Sequence, residues 1–299
     1  MSISKYPSKL SLPQRNPGVV TVLEYLVARF PQVSSSVWQQ RVADGKVHWH
    51  DGTFINAQTR YQAQQRVYYY REVASEAAIP FTEEIIFQDD HLLLAYKPHF
   101  LAVTPGGIHV NECLQSRLRE TTGQHALQVL HRLDRVTAGL VLCSLNRATR
   151  HHYHELFAAR KITKTYYAIA RVDTNDNLVG QQWEIKNRIV RAAQGFRMRI
   201  VDGPANSHSV IRCVKQSANK ALFVLHPITG KTHQLRLHMQ TLGWPILHDA
   251  YYPDLATKPA EGFTRPLQLL AKELRFIDPI TQHLRTFSCA ASLAEDSFD

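Results

Sequence analysis

The chain has 299 residues, of which 44% are hydrophobic and 20% are charged. These proportions are typical of a globular protein and predict one large domain, alone or with a small companion. Lys and Arg number 35 against 25 Asp and Glu, which gives a formal net charge of +10. Such an excess favours a polyanionic partner, with nucleic acid as the first candidate, although a merely basic protein explains the charge equally well.

The cysteines and the apolar runs argue against several classes of protein. The four cysteines stand at positions 113, 143, 213 and 289, without a C-x-x-C pair. This spacing disfavours zinc knuckles and disulfide frameworks, and free thiols fit a reducing cytoplasm. The N-terminal stretch MSISKYPSKLSLPQRNPG lacks the apolar core of a secretion signal, and no run approaches the ~18 apolar residues of a membrane span. We therefore expect a cytoplasmic protein without a membrane partner.

The first 75 residues or so predict a small module. Residues 1–17 are polar and proline-containing, and they predict an extended arm. Residues 19–30 have apolar side chains at helical spacing, and the serine cluster Ser34–Ser36 can cap a second helix. Asp51-Gly52 is typical of a hairpin turn, and residues 64–73 predict a strand. We expect a small α/β module over residues 17–75.

The remainder of the chain predicts a second, larger domain. Residues 76–83 have the composition of a linker, and IIFQDDHLLLAYKP then predicts two strands around an Asp-Asp turn. Further strand-like segments follow: LVLCSL, TYYAIARV, FRMRIV, HSVIRCV, ALFVLHP, LRFID and LRTFSC. Helical stretches are fewer and lie near 111–121, 148–159 and 231–242. This pattern predicts an α+β domain over residues 84–290 with a mostly antiparallel or mixed sheet.

The stretch LHRLDRVTAG places one carboxylate, that of Asp134, between Arg132 and Arg135. A strand-like segment follows Gly139, which permits a tight turn, so the carboxylate can point into a cleft beside a sheet. Nearby guanidinium groups favour its ionised form, and an oriented carboxylate can attack a sugar's anomeric carbon. Retaining glycosidases need a second carboxylate as acid, and no comparable motif supplies one. A surface Arg–Asp pair is the simpler interpretation of the spacing alone.

Two further stretches are dense in polar residues. ITGKTHQLRLHMQTLGWPILHD, residues 228–249, has a turn at Gly230 followed by a helix with His233, Arg236 and Met239 along one side. The histidine spacing fits no known metal motif, and we expect no metal. KITKTYYAIA, residues 161–170, combines lysines with tyrosines, which suits RNA because bases stack on rings while lysines meet phosphates. A strand with one tyrosine in the core explains the same letters.

These stretches, in this order, resemble the RluA-type pseudouridine synthases. The family signature H-R-L-D-x-x-T-S-G-L matches residues 131–140, and its later K-x-Y segment matches 164–166. A G-[RK]-T-H-Q-[LI]-R-x-H-[ML] run matches 230–239. LGWPILHD is similar to L-G-x-P-[IL]-x-G-D, and DDHLLLAYKP to the opening E-D-x-x-x-x-x-x-K-P. The resemblance covers residues 84 to 288 or so.

The resemblance implies a reaction that detaches uracil from its ribose, turns the ring and rejoins it through a carbon atom, without cofactor or metal. It implies that Asp134 acts at the anomeric carbon, either by attack or by a glycal route. Tyr166 would lie against the target base and assist deprotonation, and Arg236 would pair with Asp134. Arg132 would help to extrude the uridine, since an enzyme that acts on a base must unstack it. Seven more positions are expected to bind substrate: His131, Thr137, Lys164, Lys231, His233, Gln234 and Leu235.

The sequence departs from the family pattern at a few positions. Ala138 replaces a serine, His99-Phe100 replaces a small residue and a glycine, and His248 replaces a glycine. Residues 186–209 are atypical. The N-terminal module resembles the small RNA-binding domain of a ribosomal small-subunit protein, through S-x-x-x-W-Q-Q-R-V-A-D-G-K-V, although the usual V-N-G is absent. These changes concern the choice of substrate more than the chemistry.

Ribosomal RNA is the expected partner, because the N-terminal module is typical of the branch of this family that acts on it. Transfer RNA is the second, because target choice depends on RNA shape that the shared motifs do not specify. The alternatives are a non-catalytic RNA-binding protein on the same fold and a hydrolase of glycosidic bonds. The presence of Asp134, Tyr166 and Arg236 argues against the first, and the missing acid partner argues against the second. We expect a monomer, and the sequence specifies neither the target uridine nor the reaction route.

Overall fold

The computed structural model divides into two compact units, one formed by Met1–Ala78 with Pro105–Glu112 and the other by Ile79–Thr104 with Cys113–Asp299. The structure describes residues 1–173, 177–193, 196–253 and 262–298. The loop 105–112 belongs to the first unit because the Glu76 carboxylate accepts three backbone N–H groups from residues 110–112, at 2.6 to 3.1 Å.

The first unit contains short strands and two helices: β1 (Ser2–Ile3), β2 (Ser8–Ser11), α1 (Val22–Arg29), α2 (Ser35–Ala43), β3 (Val47–Trp49), β4 (Arg66–Tyr69) and β5 (Glu72–Val73). Helix α1 begins with a capping box, in which Thr21 and Glu24 each accept the other's backbone N–H. Ser34 caps α2 by accepting the N–H of Val37, so the serine cluster acts as the sequence predicts. The Asp51-Gly52 turn follows β3, with φ of +89° at Gly52.

Strands β2, β4 and β3 pair in that order as an antiparallel sheet within the first unit. The prediction of an extended arm over residues 1–17 is wrong for β2, which pairs with β4 along its length. The physical reason is alternation: Leu10 packs against the core and Leu12 is buried, so this polar-looking segment still has one apolar face. The core of the unit also contains Trp38 and Val67, neither of them exposed by more than 1%.

The second unit contains the remaining elements: β6 (Glu84–Gln88), β7 (Leu92–Lys97), α3 (Leu114–Thr122), β8 (Gln128–Val129), β9 (Ala138–Ser144), α4 (Arg150–Ala158), β10 (Thr163–Arg171), β11 (Gln182–Arg191), β12 (Met198–Val201), β13 (Ser207–Gln216), β14 (Lys220–Pro227), α5 (Gln234–Thr241), β15 (Leu269–Ile277) and β16 (Leu284–Ser288). The three helical stretches and the strands around the Asp-Asp turn lie where the sequence predicts them. Strand β11 is an element that the sequence pattern does not predict.

Among the described residues, eleven strands form one mixed sheet, with the main order β12-β11-β13-β14-β10-β15-β9-β7-β6. Strands β9 and β15 run parallel, and their described neighbours are antiparallel. This arrangement confirms the α+β class. The central strands matter most for function, because β9 begins just after the Asp134 turn, β10 carries Tyr166, and β15 lies between them.

Two local features hold the centre of the sheet in place. Gly139 has φ of +120°, and a Cβ there would collide with the backbone of Ala271 in β15. Only glycine therefore allows the close parallel approach of β9 and β15. A bulge sets Thr165 opposite Glu273 but Tyr166 opposite Ala271, and bulges re-aim the side chains beside them.

The four cysteines are free and buried. Burial raises the pKa of the Cys143 thiol to about 12, so this thiol stays protonated at neutral pH. All four lie in the second unit, since that unit comprises residues 79–104 and 113–299. In the part of the chain that the structure describes, no helix has the length and apolar character needed to cross a membrane.

Candidate active site

A turn between β8 and β9 presents Asp134 at the bottom of a small cavity in the second unit. The side chain of Asp134 is 22% exposed, so a substrate can reach it. Its backbone carbonyl accepts the N–H of Thr137 at 3.0 Å, which closes the turn. Among the described residues that line this cavity of about 100 Å³, Asp134 is the only carboxylate.

Two side chains, one at the end of β7 and one just after it, contact the backbone of this turn. The Lys97 ammonium is fully buried and donates to the carbonyls of Pro98, Leu101 and Arg135, at 2.8 to 3.1 Å. Burial lowers the pKa of Lys97 to about 7 despite the opposing charge of Asp134. The Nδ1 of His99 lies 2.7 Å from the carbonyl oxygen of Val136.

The histidine that departs from the family pattern at position 99 therefore has a structural role. Burial lowers the pKa of His99 to about 4, so the ring is neutral at physiological pH. A neutral ring facing a carbonyl oxygen must carry its proton on Nδ1, which makes it the donor. Among the other departures, His248 adopts φ of +63°, in the region that favours glycine, and Ala138 is fully buried in β9.

The ion-pair partner of Asp134 comes from helix α5 rather than from its chain neighbours. Among the described residues, the arginine within ion-pair distance is Arg236, whose Nη1 lies 3.5 Å from Asp134 Oδ2. Arg132 and Arg135, which flank Asp134 in sequence, are exposed. The sequence-based alternative of an Arg–Asp pair between neighbours is therefore wrong, because adjacent side chains of the turn point outward.

Arg236 makes its hydrogen bonds to a second carboxylate, Asp249. The Nε and Nη2 of Arg236 donate to the two oxygens of Asp249 at 2.6 and 2.5 Å, and both side chains are at most 2% exposed. Burial lowers the pKa of Arg236, but the hydrogen bonds and charge of Asp249 raise it more, so the guanidinium remains charged. The Cζ atom of Arg236 also lies 5.0 and 5.2 Å from the ring centres of Tyr251 and Tyr252.

Asp249 thus fixes the guanidinium that faces Asp134. The predicted pairing of Arg236 with Asp134 is a contact at 3.5 Å, whereas the bidentate bond goes to Asp249. The sequence signal for Asp249 was present, because this residue ends the LGWPILHD motif. Spacing alone does not reveal which of two carboxylates receives the guanidinium fork.

Tyr166 forms a second wall of the same cavity. Burial raises the pKa of its phenol, and the charge of Asp134 raises it further. The phenol is therefore protonated at neutral pH. A protonated phenol is a poor proton acceptor. In the resting protein, Tyr166 is therefore better suited to present a flat, apolar ring to a base than to accept a proton.

The structure brings the predicted site residues together. Asp134, Tyr166 and Arg236 line the cavity with seven of the residues expected to bind substrate: Arg132, Thr137, Lys164, Lys231, His233, Gln234 and Leu235. The eighth, His131, lines an adjoining cleft of about 600 Å³ that shares Arg132, Lys164 and Lys231 with the first cavity. The two spaces are therefore continuous along a basic wall.

The residues at the start of α5 differ in what their side chains do. Gln234 accepts from Thr229 and from the Lys231 N–H, and it donates to the His208 carbonyl and to Ser209, so its amide holds the loop before α5. Leu235 is 7% exposed and packs in the core. These two side chains therefore support the wall of the cavity through their hydrogen bonds and packing.

Two histidines of the site are neutral. The Nε2 of His233 lies 3.9 Å from Asp134 Oδ2, and its Nδ1 lies 2.9 Å from the Tyr252 hydroxyl. Burial lowers the pKa of His233 in spite of the nearby Asp134. His131 accepts the N–H of Leu142 at 3.0 Å and stacks on Phe157, and burial lowers its pKa to about 3.

No group of three or more His, Cys, Asp or Glu side chains in the described ranges is placed to hold a metal ion.

Comparison with known proteins identifies the family. A model of the RNA pseudouridylate synthase family matches residues 91–241, which include the cavity turn, the Tyr166 strand and helix α5. The chain belongs to the RNA pseudouridylate synthase family.

Relatives within this family are similar over well over half of the chain. A dual-specificity RNA pseudouridine synthase RluA from Vibrio parahaemolyticus is 35% identical over 69% of this chain and 82% of its own length. A ribosomal large subunit pseudouridine synthase C from Rickettsia typhi is 35% identical over 60% of this chain and 59% of its own length. These relatives support the RluA-type branch of the pseudouridylate synthases.

Solved structures of the family have the same fold. The human RNA pseudouridylate synthase domain containing 4 has a TM-score of 0.54 and 24% identity, covering 71% of this chain and 88% of that one. The human RNA pseudouridylate synthase domain containing 1 has a TM-score of 0.59 and 22% identity, covering 73% of this chain and 86% of that one. At these identities the likeness concerns the fold.

Proposed function

We propose that this pseudouridylate synthase isomerises a specific uridine of ribosomal RNA to pseudouridine, with Asp134 acting at the ribose. The observation that carries the proposal is the placement of Asp134 in a cavity of an RNA pseudouridylate synthase fold, reachable by substrate and facing a fixed, charged Arg236. The guanidinium favours the ionised carboxylate that the chemistry requires.

The reaction is an internal exchange of bonds. The bond between N1 of uracil and the anomeric carbon breaks, the freed ring turns, and C5 bonds to the same carbon. The C5 proton is then lost, and N1 regains a proton, so no oxidant or co-reactant is consumed. Asp134 assists the first cleavage in one of two ways. It attacks the anomeric carbon and is released when C5 bonds there, or, on the glycal route, it removes the proton of the neighbouring ribose carbon and returns it when C5 bonds.

The geometry gives little support to the hypothesis that the protein hydrolyses a glycosidic bond. A glycosidase of the retaining or inverting kind requires a second carboxylic acid near the leaving group. Asp249 does not line the cavity, its two oxygens are bonded to Arg236, and its side chain is 1% exposed. It is therefore poorly placed to protonate a leaving group, and the detached base remains available for rejoining.

Tyr166 is proposed to stack against the freed base while it turns. Its protonated phenol and its position on the cavity wall suit a sequence-tolerant surface for a rotating ring. Proton loss from C5 would then fall to Asp134, which becomes free again once the new bond forms. Arg132, exposed at the rim, is proposed to occupy the gap that the extruded uridine leaves.

The cleft beside the cavity is proposed to hold the RNA backbone next to the target. Its lining includes Arg132, Arg160, Lys164 and Lys231, and no carboxylate is among its described lining residues. Burial lowers the pKa of Lys164, and the charge of Arg160 lowers it further. A bound phosphate would relieve this repulsion, so RNA binding should weaken as salt concentration rises.

Ribosomal RNA is proposed as the substrate because the Rickettsia typhi relative and a Vibrio cholerae relative, 29% identical over 62% of its own length, are ribosomal large subunit pseudouridine synthases. The predicted small RNA-binding module gives the same indication. A second RNA class, transfer RNA in the first instance, is the alternative, favoured by the dual-specificity name of the Vibrio parahaemolyticus relative. We further propose a cytoplasmic monomer.

The test is tritium release from RNA that carries uridine labelled at carbon 5. Ribosomal and transfer RNA from a strain lacking the protein are assayed separately, with the unchanged chain and Asp134→Ala in parallel. Release by the unchanged chain alone, from ribosomal RNA, is the expected result. Equal release by both proteins would mean that another group does the chemistry, and release from transfer RNA alone would overturn the substrate proposal.

A further inference from the structure

The outer face of the sheet in the first unit differs in character from its inner face. Val67 of β4 is fully buried in the core, so its neighbours Arg66 and Tyr68 project from the opposite face. The same alternation holds in β3, where Val47 and Trp49 are buried and His48 between them is half-buried. A row of basic and aromatic side chains therefore covers a face that the core does not use.

The side chains of this outer face form a contiguous row. Tyr68 lies directly between Lys9 of β2 and His48 of β3 in the sheet register. The rings of His48 and Tyr68 are stacked, with centres 5.5 Å apart and planes 10° from parallel, and Tyr70 lies 6.1 Å from His48. Phe54, on the stretch of chain that follows β3, is 69% exposed and forms a β-bridge with His48.

The charges around this row favour an anion. Lys9 and Arg66 are exposed on the same face. The carboxylate at the Tyr70 end, Glu72, is bonded to Lys46 at 2.6 Å. Asp51 lies in the turn after β3, where its carboxylate accepts a backbone N–H. Exposed positive charge thus borders the rings on one side, and the carboxylates of Glu72 and Asp51 already have partners.

The geometry points to this outer face as a platform for single-stranded RNA, with bases stacked on the rings of Tyr68 and His48 and phosphates beside Lys9 and Arg66. Partly exposed rings next to cations suit unpaired bases, because every base has a face that stacks and every nucleotide a phosphate. Paired bases in a duplex cannot reach such rings. This inference goes beyond the proposed isomerisation, because it needs neither Asp134 nor a target uridine.

The first measurement is fluorescence anisotropy of the full chain with a labelled strand of about 12 nucleotides containing only adenosine and cytidine. Absence of uridine separates this binding from catalysis. Tyr68→Ala is expected to weaken binding about tenfold, because the stacking of one base is lost. Tyr68→Phe keeps the ring and should bind like the unchanged chain. Lys9→Ala should lower the slope of log affinity against log salt by about 0.7.

Two controls keep the result specific. Phe196→Ala removes a ring of the second unit that is 77% exposed, and it should leave the affinity unchanged. The same RNA annealed to a complementary DNA strand should show no dependence on Tyr68. Equal affinity of Tyr68→Ala and the unchanged chain for the single strand would overturn the inference and leave this face for a protein partner.

Cross-linking covers the case in which Tyr68→Ala fails to fold. A strand with one 5-iodocytidine, irradiated with the unchanged chain and digested, is expected to label the peptide that contains Tyr68 or His48. Labelling confined to peptides of the second unit would overturn the inference. The Asp134→Ala variant keeps this experiment distinct from the proposed function. It is expected to bind the strand without uridine like the unchanged chain, because the platform does not involve Asp134.

Discussion

Replacing Asp249 by asparagine tests whether Arg236 must be held by a second carboxylate. The change keeps the size of the side chain and one acceptor oxygen, but it removes the charge that faces the guanidinium. Arg236 is then left at 2% exposure with Asp134 at 3.5 Å as its remaining ionic partner. We expect lower stability together with a lower rate at saturating RNA.

The sizes of both effects follow from the burial and the distances. Removal of one partner from a buried ion pair costs about 3–5 kcal/mol, and the remaining acceptor places the loss near the lower end, at about 3 kcal/mol. A unit charge pair at the 3.5 Å between Arg236 and Asp134 is worth about 5 kcal/mol at an effective dielectric constant of 20. Losing about 1–3 kcal/mol of this through misorientation lowers kcat about 5- to 150-fold.

The assay compares single-turnover tritium release with urea unfolding, and Asp278→Asn is the matched control. Asp278 is equally buried, at 1% exposure, but it pairs with Arg285 and accepts the N–H of Ile280 away from the cavity. Its loss should reduce stability and leave kcat of the folded protein unchanged. If Asp249→Asn also lost stability alone, with kcat equal to that of the unchanged chain, the positioning role of Asp249 would be refuted.

Three further predictions concern the scaffold. Gly139→Ala should cost about 3 kcal/mol or more in urea unfolding, because a Cβ collides with the Ala271 backbone; a loss below about 1 kcal/mol would contradict the glycine argument. Burial lowers the pKa of His238 to about 4. The unfolded chain therefore binds one more proton at this residue below about pH 6.5. The contribution of His238 to stability is full above that pH and falls by about 1.4 kcal/mol per pH unit towards about pH 4. His99 and His131 add to the slope in the same way, so His238→Gln should reduce the slope by this amount, and an unchanged slope would exclude His238 as a cause. Thr21→Ala should cost about 1 kcal/mol in thermal unfolding of the first unit, with Ser11→Ala as an exposed control, since the capping box is lost.

Much of the fold follows from local pattern. Thr21 and Ser34 cap helices where the sequence predicts helices, because capping needs only neighbours a few residues away. The strands around the Asp-Asp turn are equally local, since alternation and turn residues lie within one short segment. Strand β11 was missed because QWEIKNRIVR mixes charged and apolar residues, and its pairing with the distant β13 decides its conformation.

The site divides in the same way. The motifs that carry Asp134, Tyr166 and Arg236 are visible as letters, and the fold brings them to one cavity. The bond between Arg236 and Asp249 depends on how the chain returns after α5, which no periodicity encodes. The role of His99 was not predictable from the sequence either, because it depends on the carbonyl oxygen of Val136, which the fold places beside the ring.

The four buried thiols also give the molecule a built-in reporter. Because each cysteine lies in the second unit and each is buried, an alkylating reagent can modify them only when that unit opens. The first unit contains no cysteine, so the reagent does not detect the opening of that unit. Pulsed alkylation followed by mass measurement would therefore count openings of the catalytic unit alone, and bound RNA should slow the labelling of that unit in proportion to its affinity.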